Sequence, residues 1–126
     1  MNAGLWVLQV LLAAAFLAHG WLFLSPPASI VDEMNASLPR WFQLFLGVAE
    51  IAAAIGLTVP ALVRRATWLV WWAAAGIMIV MISATIFHIA RNEISSAAIT
   101  LVLLLMASFV AYMRRGARPI PERQAV

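Results

Sequence analysis

The sequence predicts an all-α fold, a four-helix transmembrane bundle with both termini cytoplasmic. Hydrophobic residues make up 65% of the chain and charged residues 10%, whereas a soluble domain carries roughly 45–50% apolar and about 25% charged residues. The apolar residues gather into four runs of bilayer-crossing length, about 3–24, 41–59, 67–90 and 94–112, and only helices or closed barrels satisfy their backbone in lipid. The basic residues are unevenly placed. Arg64 and Arg65 separate the second and third runs, and Arg114, Arg115 and Arg118 follow the fourth. The other two connections carry Arg40 and Arg91, offset by Asp32, Glu33 and Glu93. The positive-inside rule then puts both ends in the cytoplasm and the first and third loops outside.

The first span ends at Ser25-Pro26-Pro27, where two prolines stop helical hydrogen bonding. It carries Gln9 and His19. No Lys or Arg precedes Asn35 to form a basic leader region, and the apolar run exceeds the ~7–15 residues of a signal peptide, so it reads as a retained helix. The loop 25–39 is long enough to fold over the mouth of a bundle. The second span opens with Arg40 and Trp41 as interface anchors, and Pro60 is expected to close it. Offsets of three, four and seven place Gln43, Gly47, Glu50, Ala54 and Leu57 on one stripe, and Ala52 with Gly56 makes a small-residue pair suited to close helix approach. Trp68, Trp71 and Trp72 open the third span at a headgroup boundary. Near its far end Met81, Ala84, Thr85 and His88 share a face, with Arg91 and Glu93 just beyond. The fourth span holds only weakly polar Ser95, Ser96, Thr100 and Ser108. Residues 1–113 thus form one membrane domain, and 114–126 a short basic cytoplasmic tail.

The chain has no cysteine, which excludes disulfides, thiol redox chemistry and cysteine-ligated metals. Its net charge of +3 reads as membrane topology and not as a nucleic-acid face, because no aromatic residues interleave the arginines. Glu50 demands an explanation of another kind. A charged side chain at bilayer depth costs roughly 2.5–3.5 kcal/mol on insertion scales unless it turns inward and finds a partner. At 1.5 Å per residue it lies roughly 13 Å below the outer end of its helix. His19, Glu50 and His88 then fall in the outer half of the bundle as candidate catalytic groups, and Gln43, Glu93, Met81 and Thr85 as candidate ligand-binding residues. Two imidazoles and a carboxylate suit zinc or non-haem iron, but no HExxH or ExxH spacing supports a metal site. A haem held between His19 and His88 is geometrically feasible across a bundle and has no further signal.

The order and spacing of several stretches resemble the DoxX-like family of small four-span membrane proteins. These are Gly47-Val48-Ala49-Glu50 continuing through Gly56-Leu57-Thr58-Val59-Pro60, Ala73-Ala74-Ala75-Gly76, Met81-Ile82-Ser83-Ala84 leading to His88 and Arg91-Asn92-Glu93, and Val110-Ala111-Tyr112-Met113-Arg114. The resemblance covers nearly the whole chain from His19-Gly20 onward. It implies a link with membrane oxidoreductase complexes and quinone-linked sulfur oxidation, and through a distant animal branch with receptor-assembly chaperoning. In many relatives a basic residue follows the glycine near the end of the first helix. Here His19-Gly20-Trp21 occupies that region without a lysine.

The first functional reading is therefore a redox-associated subunit of the inner (cytoplasmic) membrane that takes a lipophilic, quinone-like molecule into the outer half of the bundle. Glu50, His19 and His88 would bind it or shuttle protons to it, since imidazole exchanges a proton near neutrality. Electrons would come from a cofactor or from a membrane or soluble redox partner. The alternative is a non-catalytic assembly or scaffold protein whose small-residue faces dock a larger membrane partner. Both readings are compatible with an oligomer. Transport is disfavoured, because four spans leave little room for a translocation path.

Overall fold

A computed structural model describes residues 2–124 of the 126. The helices are α1 (Asn2–Leu24), α2 (Val31–Ser37), α3 (Arg40–Val63), α4 (Trp68–Ala90) and α5 (Ile94–Tyr112), the last continued by one π-helical turn, Met113–Ala117. Four of them, α1, α3, α4 and α5 with its π turn, are long and apolar enough to cross a membrane. Together they make an all-α transmembrane bundle whose large outward side chains, among them Val48, Val102 and Leu105, meet lipid. Four crossings leave both termini at one end of the bundle, the terminal end. The short α2 lies at the other, the α2 end.

Local chemistry sets the boundaries. Pro26 and Pro27 follow the end of α1, and Arg40 completes it by donating from Nη1 to the Phe23 carbonyl (2.7 Å) and from Nη2 to the Leu24 carbonyl (2.9 Å), which supplies partners to carbonyls a helix end leaves orphaned. The loop 25–39 contains a helix that its apolar pattern does not announce. α2 has no buried residue, and Asp32 and Glu33 sit in its first turn, where the helix dipole favours negative charge.

Pro60 does not close α3, which runs on to Val63 and ends at Arg64 in the left-handed region (φ 56°). Pro60 and Ala61 are buried against the core, so the packing of one more turn outweighs the single hydrogen bond that proline removes. Two residues earlier Thr58 Oγ1 donates to the Ala54 carbonyl (2.9 Å), a local bond of the kind that accommodates irregular helical backbone in membranes.

The bundle is two tightly packed pairs, α1 with α3 and α4 with α5. Contacts between α3 and α4 join the pairs, and α1 meets α5 only sparingly. Gly56 is the joint: a Cβ there would lie 3.0 Å from the Ala73 Cβ. Its small-residue companion Ala52 is exposed. Leu12, Phe16, Leu57, Ala74, Ile77 and Val110 form the shared core.

At the terminal end a polar network ties the termini together. Arg114 is buried; its Nε donates to Gln9 Oε1 (2.6 Å) and its Nη1 to Asn2 Oδ1 (2.7 Å) and the Arg118 carbonyl (2.9 Å). Gln9 Nε2 in turn donates to the Leu57 carbonyl (2.8 Å). Arg114, assigned from sequence to the start of the tail, is thus part of the bundle interior. It follows Ala107 and Val110 on the inward face of α5, one helical turn beyond Val110.

Candidate functional site

The site begins with a helix crossing. Gly20 on α1 and Gly47 on α3 meet backbone to backbone: a Cβ on Gly20 would stand 2.9 Å from the Gly47 carbonyl oxygen, and one on Gly47 the same distance from the Gly20 carbonyl oxygen. Only glycine at both positions permits this approach. The residue before Gly20 is His19, and Glu50 is one turn after Gly47. The crossing therefore sets His19 Nδ1 2.7 Å from Glu50 Oε2. Glu50 is 3% exposed, and the His19 side chain 50% exposed. The stripe expected on α3 is the buried one: Gln43, Gly47, Glu50, Ala54 and Leu57 all face inward.

A second imidazole–carboxylate pair closes the other side. α4 ends at Ala90 with Arg91 as its cap. Asn92 takes the left-handed conformation (φ 58°), which asparagine tolerates, and Glu93 returns against the last turn, its N–H donating to the His88 carbonyl (2.8 Å). Glu93 Oε2 then lies 2.8 Å from His88 Nδ1, and Arg91 Nε donates to Glu93 Oε1 (2.6 Å). The Arg91 guanidinium, and after it the His88 imidazole, hold the Glu93 carboxyl below the usual carboxylate range.

The two pairs have the same construction. Each histidine turns Nδ1 to a carboxylate, which leaves Nε2 as the nitrogen for a further partner. Each also has a phenylalanine packed edge-on: Phe23 at 4.8 Å from His19 and Phe87 at 5.5 Å from His88, measured between ring centroids.

Between the helix pairs, in the half of the bundle towards α2, lies a cavity of about 740 Å³. His19, Glu50 and His88 all line it, with Met81 on its wall, Leu38 and Phe42 towards α2, and aromatic and aliphatic side chains elsewhere. An apolar chamber of this size with a few convergent polar groups has the make-up of a small-molecule site. Among the described residues no three His, Asp or Glu side chains converge as a metal-binding group; the polar groups form two separate pairs.

The remaining sequence candidates are distributed around this chamber. Gln43 is fully buried but not on the cavity wall. Its Nε2 donates to the Met34 carbonyl (3.2 Å), Asn35 Oδ1 (3.1 Å) and the Leu38 carbonyl (2.9 Å), and its Oε1 accepts from Arg40 (3.3 Å). It holds the α2 loop in place over the chamber. Thr85 lies behind the wall, with its hydroxyl on the Met81 carbonyl (2.7 Å) and 2.8 Å from that of Thr100. Glu93 reaches the cavity only through His88. Ser96 and Thr100 on α5 line the chamber and did not stand out in the sequence, because weakly polar residues are common in membrane helices. Nor did Phe23, Phe45 and Phe87, which read like lipid-facing residues when nearly every neighbour is apolar.

No curated protein and no solved structure matches the chain. The family model described as DoxX-like matches residues 7–110, which takes in His19, Gly20, Gly47, Glu50, His88 and Glu93 and four-fifths of the sequence, and the chain belongs to the DoxX-like family.

Proposed function

We propose that the protein binds a lipophilic, quinone-like molecule in the chamber between its helix pairs, as a redox-associated subunit of the cytoplasmic membrane. The observation that carries this reading is that both imidazoles and the deep carboxylate line one apolar cavity of about 740 Å³. A quinone head group presents two carbonyl oxygens on a flat apolar ring. His19 on α1 and His88 on α4 offer one nitrogen each on opposite helix pairs, with phenylalanine edges beside both. When a quinone takes up two electrons it also takes up two protons. The imidazoles supply those protons at the ring oxygens, and Glu50 and Glu93, each on a histidine Nδ1, fix the ring orientation. The electrons come from a partner protein, since the chain's own side chains include no redox centre. The arginine distribution supports placing the terminal end in the cytoplasm, with the chamber then opening on the outer half of the bilayer.

The scaffold reading relies on small-residue faces left free for a partner. On α3, Gly47 and Gly56 are already occupied by Gly20 and Ala73, which favours the ligand reading. The test is calorimetric titration of the detergent-purified protein with decylubiquinone and with menadione. Removing a hydrogen bond to a charged partner costs about 1.5–3 kcal/mol, so Glu50→Gln and His88→Ala are each expected to weaken binding roughly tenfold to a hundredfold. If the wild-type protein binds neither quinone, or binds it as tightly after both substitutions, the reading fails.

A further inference from the structure

A second cavity, of about 520 Å³, lies at the opposite end of the molecule, lined by Leu62, Val63, Arg64, Arg65 and Arg123. It is assembled from two remote segments. Residues 118–124 fold back onto the α3–α4 turn: the Arg123 N–H donates to the Arg64 carbonyl (2.7 Å), and Arg64 Nε donates to the Pro121 carbonyl (3.0 Å). The Thr67 N–H donates to Glu122 Oε1 (3.2 Å), and the Thr67 hydroxyl is 3.4 Å from the same oxygen. Among the described residues, the fold thereby brings three arginines to one cavity with no carboxylate on its wall. Glu122, the acidic residue of that segment, is engaged by Thr67. No side-chain hydrogen bond or ion pair occupies Arg65 or Arg123 among the described residues. By contrast, Arg91 is paired to Glu93 and Arg115 lies over the Trp71 ring at 5.1 Å. Leu62 and Val63, 69% and 49% exposed, form the apolar side of the same cavity at the end of a membrane-spanning helix.

We propose that this cavity binds the phosphate-bearing headgroup of an anionic phospholipid, with Arg65 and Arg123 as the phosphate ligands, Arg64 adding charge while it fixes the tail, and Leu62 and Val63 packing against the upper acyl chain. Guanidinium groups match phosphate oxygens in geometry as well as charge, and juxtamembrane arginines draw anionic lipids. The exposed leucine and valine beside them distinguish a lipid from a free phosphate, which gains nothing from an apolar wall.

The experiment is native mass spectrometry of the full chain released from nanodiscs of phosphatidylglycerol and phosphatidylcholine. Wild type should retain phosphatidylglycerol in preference to phosphatidylcholine, and R65Q/R123Q should retain it roughly tenfold less or lower still. Arg115→Gln, which alters charge outside the cavity, should retain it as wild type does. Equal retention of the two lipids by wild type would overturn the proposal, as would unchanged phosphatidylglycerol retention in R65Q/R123Q. Release of the lipid by an equimolar amount of inorganic phosphate would overturn the lipid assignment in favour of a free-phosphate site.

Discussion

At the scale of single residues, the chain spends its few polar groups in pairs. Glu50 could be singled out from sequence because the cost of a carboxylate in an apolar helix forces a partner on it, and that partner is His19 at 2.7 Å. Gln43 was recognisable as an inward-facing polar residue, but the partners of its amide nitrogen, the Met34 and Leu38 carbonyls and Asn35 Oδ1, belong to the 25–39 segment, whose path no periodicity encodes. Glu93 offers a measurable consequence. Arg91 first, then His88, lower its carboxyl pKa in the folded protein, so the unfolded chain takes up its proton at higher pH than the folded one. The stability this contributes is present above the ordinary carboxylate pKa, roughly 4.3–4.5, and is lost as pH falls through the lower folded value. In thermal melts across pH, wild type should therefore exceed Glu93→Gln in melting temperature above the ordinary carboxylate pKa and lose that margin as pH falls below it. A margin that stays constant with pH would mean that the carboxylate charge is not what the His88–Glu93–Arg91 contact uses.

Among the helices, length and hydropathy declared four spans, but neither could declare which helix packs on which. Apart from α3, whose Gln43–Glu50 stripe faces inward, the spans have no distinct polar side to orient them, and the pairing is decided by where small residues admit a neighbouring backbone. The Gly20–Gly47 crossing is the clearest case, and the His19–Glu50 bond depends on it. Gly47→Ala would place a methyl group 2.9 Å from the Gly20 carbonyl and from Leu24, so α1 and α3 must separate. Overpacking of this sort costs typically about 1–3 kcal/mol. The variant should melt at lower temperature in detergent and bind quinone more weakly, while Gly76→Ala, where nothing lies within 4 Å of the added Cβ, should match wild type in both. Equal melting of the two variants would show that the crossing is looser than its geometry. Pro60 teaches the complementary lesson. Proline reads as a stop in sequence, yet buried packing of the following turn carries the helix past it.

On the scale of the whole molecule, two tight helix pairs joined mainly along α3 and α4 leave room between them towards α2, and that is where the chamber with both histidines lies. The half-bundle location of the polar residues was legible from their depth in each span. The chamber itself was not, since it arises from how the pairs diverge and not from any one segment. The orientation of this asymmetric object in the membrane decides which compartment the chamber serves. Arg64, Arg65, Arg115 and Arg118 gather at the terminal end, whereas at the α2 end Arg40 and Arg91 are engaged by α1 carbonyls and Glu93. Holding a cluster of arginines on the cytoplasmic side is favoured during insertion, and acidic residues at the opposite end oppose it little. Because the chain has no cysteine, single introduced thiols report sidedness without background. In intact cells a membrane-impermeant maleimide should label Asp32→Cys, in the first turn of α2, and should label Arg118→Cys only after the membrane is opened. Labelling of Arg118→Cys in intact cells would reverse the bundle, turning the chamber and its two imidazole–carboxylate pairs towards the cytoplasm.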